Sequence, residues 1–188
     1  IVDNVTELTG LDRDLVAERG GRIDSGTYLR AVHREDRTIG SVYDSNVTAF
    51  DPFPWSAQRR SNDPILDALI APTTSAMVDF ITRVVGWKTD ARYHALSYEV
   101  NEAWDRGEPD DKPVQDLRKA IANDPNMAVM IVHGWDDLSC PFMASVLIVD
   151  QMPSFGMAER VNLDVYPGGH MFYSRDDSGA AFKRDARA

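Results

Sequence analysis

Two loops in the second half of the chain carry side chains that can act together as an acid and a base. Asp136 and Asp137 follow the apolar run 128–132, and His170 follows the alternating segment 160–166. A carboxylate hydrogen-bonded to an imidazole fixes the tautomer of the ring, which can then take a proton from a hydroxyl nucleophile. The pattern therefore indicates the acid–histidine pair of a nucleophilic triad. A second interpretation stays open, because Asp-rich and Gly-Gly-His segments also occur as ordinary turns.

The elements around these loops have to bring them together, and their patterns predict a strand–helix–strand unit. The run 128–132 is apolar throughout and rich in β-branched residues, which is typical of a strand in a parallel sheet. A helix is expected next, with Ser139 as its cap and Pro141 in its first turn, and the strand 160–166 follows it. Strands joined by a helix run parallel, so the two loops are expected to meet at one edge of the sheet.

The rest of the chain is predicted to be mainly helical, and its composition divides it into regions. Helices are predicted at 12–19, at 25–32, at 65–70 after an Asp63 cap, from Thr73 or Thr74 with Met77, Phe80, Ile81 and Val84 on the apolar face, at 114–122 and at 177–182. Residues 42–55 hold four aromatic side chains and predict an extended loop, either for packing or for lining a substrate site. The regions are a mainly helical one at 1–106, a polar linker at 107–113, and an α/β region at 114–188.

Composition disfavours several classes of function. Thirty acidic and twenty basic residues give a net charge of −10, which repels phosphate backbones and disfavours nucleic-acid binding. Apolar stretches such as 144–149 are far shorter than the ~20 residues that span a bilayer, so no membrane partner is expected. Cys140 is the single cysteine, which excludes an internal disulfide. A metal site formed by His94, His133 and His170 with the aspartates is disfavoured because no H-x-H or H-E-x-x-H spacing occurs, and no cofactor is predicted.

Two segments resemble motifs of the serine carboxypeptidase family. The stretch 128–141 is similar to the family's strand-plus-acid motif G-D-x-D-x-x-C-N, in which the second aspartate is the triad acid. That aspartate falls on Asp137, and Cys140 matches the family's cysteine. A proline replaces the usual Asn, as expected in the bacterial branch. The stretch 165–171 resembles the family's G-G-H-M motif, which makes His170 the triad histidine.

The resemblance implies a fold, a reaction and a location. The implied fold is the C-terminal part of an α/β-hydrolase, a parallel βαβ unit preceded by a mostly helical cap or insert region. The implied reaction is the release of C-terminal amino acids from peptides through an acyl-enzyme, with Asp137 and His170 catalytic and no cofactor. The resemblance also implies that Cys140 and Met171 line the substrate subsites, and that the protein is secreted or periplasmic.

One part of the family pattern is missing from the chain. The nucleophile motif G-E-S-Y-[AG]-G does not occur, and Ser97-Tyr98 lacks the flanking glycines that a strand-to-helix elbow needs. Because the sequence starts at Ile1 rather than Met, we expect the nucleophilic serine in a preceding N-terminal portion or in a second chain. Two alternatives stay open: an acyltransferase or esterase on the same scaffold, and a non-catalytic interaction domain that lacks the nucleophile.

Overall fold

The protein is a mixed helix-and-strand chain that contains a parallel and an antiparallel sheet. Its computed structural model describes residues 1–56, 61–107, 112–154 and 160–187. The elements follow in the order α1 (Val2–Thr9), α2 (Arg13–Glu18), α3 (Ser25–Ala31), β1 (Thr38–Gly40), β2 (Thr48–Phe50), α4 (Pro64–Asp79) with a π-helical continuation (Phe80–Val85), α5 (Tyr98–Ala103), α6 (Lys112–Asn123), β3 (Val129–Gly134), α7 (Phe142–Asp150), β4 (Val161–Tyr166), a 3₁₀ turn (Phe172–Ser174) and α8 (Asp176–Asp185). This mixture is consistent with the predicted α/β class.

The unit that carries the two loops is β3–α7–β4, and the predicted strand–helix–strand arrangement is confirmed. β3 and β4 pair in parallel, from Val129 opposite Val161 to Gly134 opposite Tyr166. Because the strands run in the same direction and end in register, the loops after Gly134 and Tyr166 leave the sheet at the same edge.

A small aromatic core anchors the end of β4. Tyr166 stacks on Phe172 with ring centroids 5.0 Å apart, and Phe182 of α8 packs edge-on against both rings. The Tyr166 hydroxyl donates a hydrogen bond of 3.0 Å to the Asp185 carboxylate. Burial, reinforced by this carboxylate, raises the pKa of Tyr166 to about 12. The strand that leads into the histidine loop is therefore tied to the helix that follows it.

An antiparallel hairpin in the first region was not predicted. β1 and β2 pair from Thr38 opposite Phe50 to Gly40 opposite Thr48. The prediction of an extended loop over 42–55 is therefore wrong for the segment that forms β2. This strand has three residues, all exposed, so it offers no alternation of apolar and polar side chains to detect.

The helix that begins at Pro64 is longer than predicted. Asp63 caps it as expected and accepts hydrogen bonds from the N–H groups of Ile65 and Leu66. The helix then passes through Pro72 to Asp79 and continues to Val85, so the prediction of a separate helix capped by Thr73 or Thr74 is wrong. An internal proline removes one N–H donor, and on an exposed helix water can satisfy the carbonyl that loses its partner.

The continuous helix 64–85 is apolar and exposed. A window of 18 residues within this 22-residue helix has a mean hydropathy of 1.3, and none of the 22 residues is buried. It is long and apolar enough to cross a membrane by length and composition, so the expectation that apolar stretches fall far short of that length is wrong. The absence of a membrane partner stays a prediction, because an apolar helix face of this kind also suits a surface that another protein segment covers.

The predicted region boundaries are only partly described. Residues 108–111 of the predicted linker 107–113 lie outside the described residues, and Lys112 and Pro113 belong to the first turn of α6. The division into regions 1–106 and 114–188 stays a prediction. Backbone hydrogen bonds nevertheless join residues 42–45 of the first region to both loops of the second.

Candidate active site

Asp137 and His170 lie side by side at the edge where β3 and β4 end. The Nδ1–H group of His170 donates a hydrogen bond of 2.8 Å to Oδ2 of Asp137. Only 4% of the Asp137 side chain is exposed, whereas 41% of the His170 side chain is exposed. Donation from Nδ1 leaves the Nε2 lone pair of the neutral ring available to accept a proton. The two side chains that the sequence predicts to meet are therefore in contact.

Backbone groups hold the Asp137 carboxylate in place. Its Oδ1 atom accepts hydrogen bonds of 2.8 Å from the N–H groups of Ser139 and Cys140. A buried carboxylate is costly unless donors surround it, and these groups together with the histidine supply three. The prediction that Ser139 caps α7 is wrong, because this helix begins at Phe142 and has no side-chain cap. Pro141 precedes the first turn instead of lying within it.

A tight turn holds His170 against Tyr43. The backbone N–H of His170 donates to the carbonyl oxygen of Tyr43 at 2.6 Å, and the Tyr43 ring stands edge-on to the imidazole with centroids 5.5 Å apart. The carbonyl of Gly168 accepts a hydrogen bond of 2.9 Å from the N–H of Asp136, which joins the histidine loop to the acid loop. Gly168 has a φ of 115°, which side-chain-bearing residues rarely adopt.

Asp44 is a second buried carboxylate beside the histidine loop, and sequence reasoning did not identify it. Its Oδ2 atom accepts hydrogen bonds from the Gly169 N–H at 3.1 Å and from the Arg175 guanidinium at 2.7 Å. No local sequence signal marks this carboxylate, because Asp44 and Gly169 are 125 positions apart. Only the folded chain brings them together.

The segment 42–45 joins the two loops of the site. The N–H of Leu138 donates to the Val42 carbonyl, and the N–H of Ser45 donates to the Asp136 carbonyl, each at 3.0 Å. With the Tyr43 and Asp44 contacts, this segment bonds both the acid loop and the histidine loop. The predicted aromatic loop therefore contributes its first residues to positioning the pair.

Two glycines are required where these segments approach one another. A Cβ atom on Gly169 would lie 1.9 Å from the carbonyl oxygen of Tyr43, and one on Gly134 would lie 2.0 Å from the carbonyl oxygen of Gly169. Contacts this short cannot exist without moving the backbone, because the obstructing atoms are themselves backbone atoms. Glycine at the end of β3 and before His170 therefore sets the spacing between the loops.

The other predicted site residues lie around the pair in different ways. The Cys140 thiol is exposed, and its sulfur, a carboxylate oxygen of Asp137 and a ring nitrogen of His170 lie within 4.8 Å of one another. Met171 is half-buried and directly follows the histidine. Asp136 joins the loops through its backbone groups, so Asp137 is the aspartate that faces the ring. The substrate-binding roles of Cys140 and Met171 stay predictions.

His133 ties the end of β3 to α7. Its Nδ1 atom lies 3.0 Å from the Cys140 carbonyl oxygen and its Nε2 atom lies 2.8 Å from Oγ of Ser145. These contacts are consistent with a neutral ring that donates to the carbonyl and accepts from the hydroxyl. His133 therefore supports the loop that carries the acid, while His94 is exposed on the surface.

The ring of His170 faces an open surface. Among residues 1–56, 61–107, 112–154 and 160–187, no serine or threonine hydroxyl is hydrogen-bonded to this ring.

Trp135, beside the acid loop, is 54% exposed although it packs edge-on against Phe142. A cavity of about 630 Å³ lies elsewhere, and Arg30 and Trp55 are among its lining residues.

Comparison with known proteins identifies no relative of this chain. No protein-family model, curated protein or solved structure matches the chain. The membership suggested by the two motifs therefore stays a prediction, and the function has to be argued from the geometry of the pair.

Proposed function

We propose that Asp137 and His170 are the acid and the base of a serine hydrolase triad on an α/β-hydrolase scaffold. The observation that carries the proposal is the 2.8 Å hydrogen bond between a buried carboxylate and an exposed imidazole at the ends of two parallel strands. In open parallel sheets this edge is where ligands and catalytic groups gather. The order acid then histidine along the chain is also that of α/β-hydrolases.

The arrangement of protons suits the first step of acyl transfer. The Nδ1 proton of His170 is engaged by Asp137, so Nε2 takes the proton of a serine hydroxyl as the serine oxygen attacks the substrate carbonyl carbon. Asp137 stabilises the imidazolium that forms. The imidazolium then gives its proton to the leaving group as the scissile bond breaks, and water hydrolyses the acyl-enzyme by the same route.

The nucleophilic serine is proposed to come from a segment outside these 188 residues, on an N-terminal portion or a second chain. Two features support this origin. The exposed ring of His170 has no hydroxyl partner within the described part of the chain. Several large apolar side chains are at least half exposed, among them Trp135, Met143 and Phe80. A further segment of protein would cover such side chains.

The substrate proposed is the C-terminal end of a peptide, and this part rests on the motif resemblance. An esterase or acyltransferase would use the same pair, since these reactions differ in the leaving group and the acceptor. N-blocked dipeptides and the matching methyl esters distinguish them. Release of the free C-terminal amino acid from the dipeptide supports the peptidase, whereas turnover of the methyl ester alone refutes it.

A serine-directed fluorophosphonate probe tests the triad itself. The protein is expressed from its complete reading frame, and any co-purifying chain is kept. We expect labelling that is lost in His170→Ala, because the serine loses its base. Asp137→Asn is expected to lower turnover by about 10⁴-fold, as in other triads. Asp136→Asn is the matched control and should retain most activity.

The outcomes separate the proposal from its alternatives. Labelling that persists in His170→Ala, or loss of turnover in Asp136→Asn but not in Asp137→Asn, would show that the pair is not the catalytic one. A folded, monomeric 21.0 kDa species that takes up no probe would instead favour a non-catalytic interaction domain. The intact mass under denaturing conditions reports which species is present.

A further inference from the structure

We infer that Asp137, Cys140 and His170 form a binding site for a thiophilic divalent ion such as Zn²⁺, and that the bound ion disables the His170 base. A carboxylate oxygen, the thiol sulfur and a ring nitrogen lie within 4.8 Å of one another. Oxygen, thiolate sulfur and imidazole nitrogen are the ligand types that proteins offer to zinc. The inferred ion is an inhibitor, so the proposed hydrolysis itself needs no metal.

Two of the three ligands come from one preorganised turn. The N–H of Cys140 donates a hydrogen bond of 2.8 Å to Oδ1 of Asp137, and the N–H of Ser139 does the same. These bonds orient the carboxylate and fix the backbone from which the thiol projects. The third ligand, His170, already contacts the other carboxylate oxygen at 2.8 Å.

The three ligand atoms need to move only slightly to bind a zinc ion. Zinc–ligand bonds of about 2.0–2.3 Å place tetrahedral ligand atoms roughly 3.3–3.8 Å apart. Starting from separations of at most 4.8 Å, no pair of these atoms has to approach by more than about 1.5 Å. Rotation of the exposed Cys140 side chain and a slight tilt of the exposed ring supply this movement without moving the buried acid loop.

Exposure of two ligands provides both access and an open coordination position. The thiol and the imidazole face solvent, so an ion reaches them without opening the fold. Three protein ligands leave a fourth position for water, as in other three-ligand zinc sites. Sequence spacing did not predict the site, since the histidine is 33 positions from the aspartate and contacts it only through the βαβ fold.

Metal binding and base catalysis exclude each other at this histidine. The thiol binds as a thiolate, so its proton passes to the solvent. If the ring binds through Nε2, the lone pair that accepts the serine proton is occupied by the ion. If it binds through Nδ1, the single ring proton moves to Nε2, and the ring again cannot accept one. This inhibitory consequence rests on the proposed function, whereas ion binding does not.

Cobalt binding to the protein, expressed from its complete reading frame with any co-purifying chain, tests the site without any substrate. Co²⁺ occupies zinc sites, and a cobalt–thiolate bond gives a sulfur-to-cobalt charge-transfer band in the near ultraviolet. We expect a saturable band that Zn²⁺ abolishes by displacement and that Cys140→Ser lacks. His170→Ala should weaken Co²⁺ binding by at least about 10-fold, in line with the effect of altering zinc-site residues. Asp136→Asn and His94→Ala are the matched controls and should bind as the wild type does.

The variants also define what overturns the inference. The absence of a thiolate band in the wild type rejects the site. A band of unchanged affinity in His170→Ala identifies binding to the thiol alone and rejects it equally. Far-UV circular dichroism of each variant verifies the fold, which His170→Ala should retain because the ring is exposed. If the wild-type protein is not labelled by the fluorophosphonate, the proposed triad is wrong, but the cobalt measurement still tests the metal site. The two proposals can therefore be refuted independently.

Discussion

Replacing Gly169 with alanine should destabilise the protein by displacing the histidine loop. The added Cβ would lie 1.9 Å from the Tyr43 carbonyl oxygen and 2.5 Å from Cβ of Asp44. Ordinary contact begins near 3.4 Å, so the two backbone segments have to separate by about 1.5 Å. The hydrogen bonds from His170 N–H to Tyr43 at 2.6 Å and from Gly169 N–H to Asp44 at 3.1 Å cannot survive that movement.

The magnitude follows from the bonds that are lost. A neutral hydrogen bond contributes about 0.5–1.5 kcal/mol and one to a charged group about 1.5–3 kcal/mol. We therefore expect the free energy of unfolding to fall by roughly 3 kcal/mol in Gly169→Ala. Gly26→Ala is the matched control, since Gly26 lies in α3, and its nearest neighbour for a Cβ is a side-chain oxygen at 3.3 Å. It should change stability by less than about 1 kcal/mol.

Urea unfolding, followed by tryptophan fluorescence and circular dichroism, measures both variants. A lower midpoint at an unchanged slope indicates a loss of native stability rather than a change in the unfolded state. The NMR resonances of the His170 imidazole should shift in Gly169→Ala and stay in place in Gly26→Ala. Suppose that the free energy of unfolding of Gly169→Ala lies within about 0.5 kcal/mol of the wild-type value and that the His170 resonances do not shift. The segment 42–45 then does not position the ring.

Two further substitutions test other parts of the fold. The pKa of Tyr166 is raised to about 12, so its contribution to stability is complete below pH 10 and is lost as the pH rises through 12. The wild type should therefore lose up to about 2–3 kcal/mol of its free energy of unfolding over this range, and Tyr166→Phe should not. Urea midpoints that fall equally in both proteins would contradict this. Asp63→Ala removes the α4 cap and the acceptor of the buried Ser41 hydroxyl, so it should lower the free energy of unfolding by about 2–4 kcal/mol. The control Asp12→Ala removes only an exposed cap and should cost about 1 kcal/mol, so equal losses in urea unfolding would refute the difference.

The helices of the described chain that were correctly predicted have local causes. The glycines after α2, the Asp63-Pro64 start of α4 and the amphipathic spacing of α6 act within a few residues, so they can be detected in the sequence. The exceptions have local causes too. α1, α5 and β2 were not predicted; they are short and have no buried residues, so they leave little pattern. Pro72 is tolerated because its helix is exposed.

The acid and the histidine were predictable because the βαβ unit is a local fold. Apolar runs of strand length, joined by a helix, bring the ends of β3 and β4 to one edge, so Asp137 and His170 had to emerge as neighbours. Their catalytic roles stay predictions, as do those of Cys140 and Met171. The sequence by itself therefore determined which two loops meet.

The tertiary structure decided how the loops are held once they meet. Asp44 contacts Gly169 across 125 positions, and Tyr43 accepts the backbone hydrogen bond of His170. Such contacts depend on packing among distant segments, and no residue type or spacing near either end encodes them. The same reason applies to Cys140, whose nearness to the ring follows from the turn around Asp137 and the pairing of two strands. Local patterns specify elements, whereas the closeness of their side chains arises only when the chain is compact.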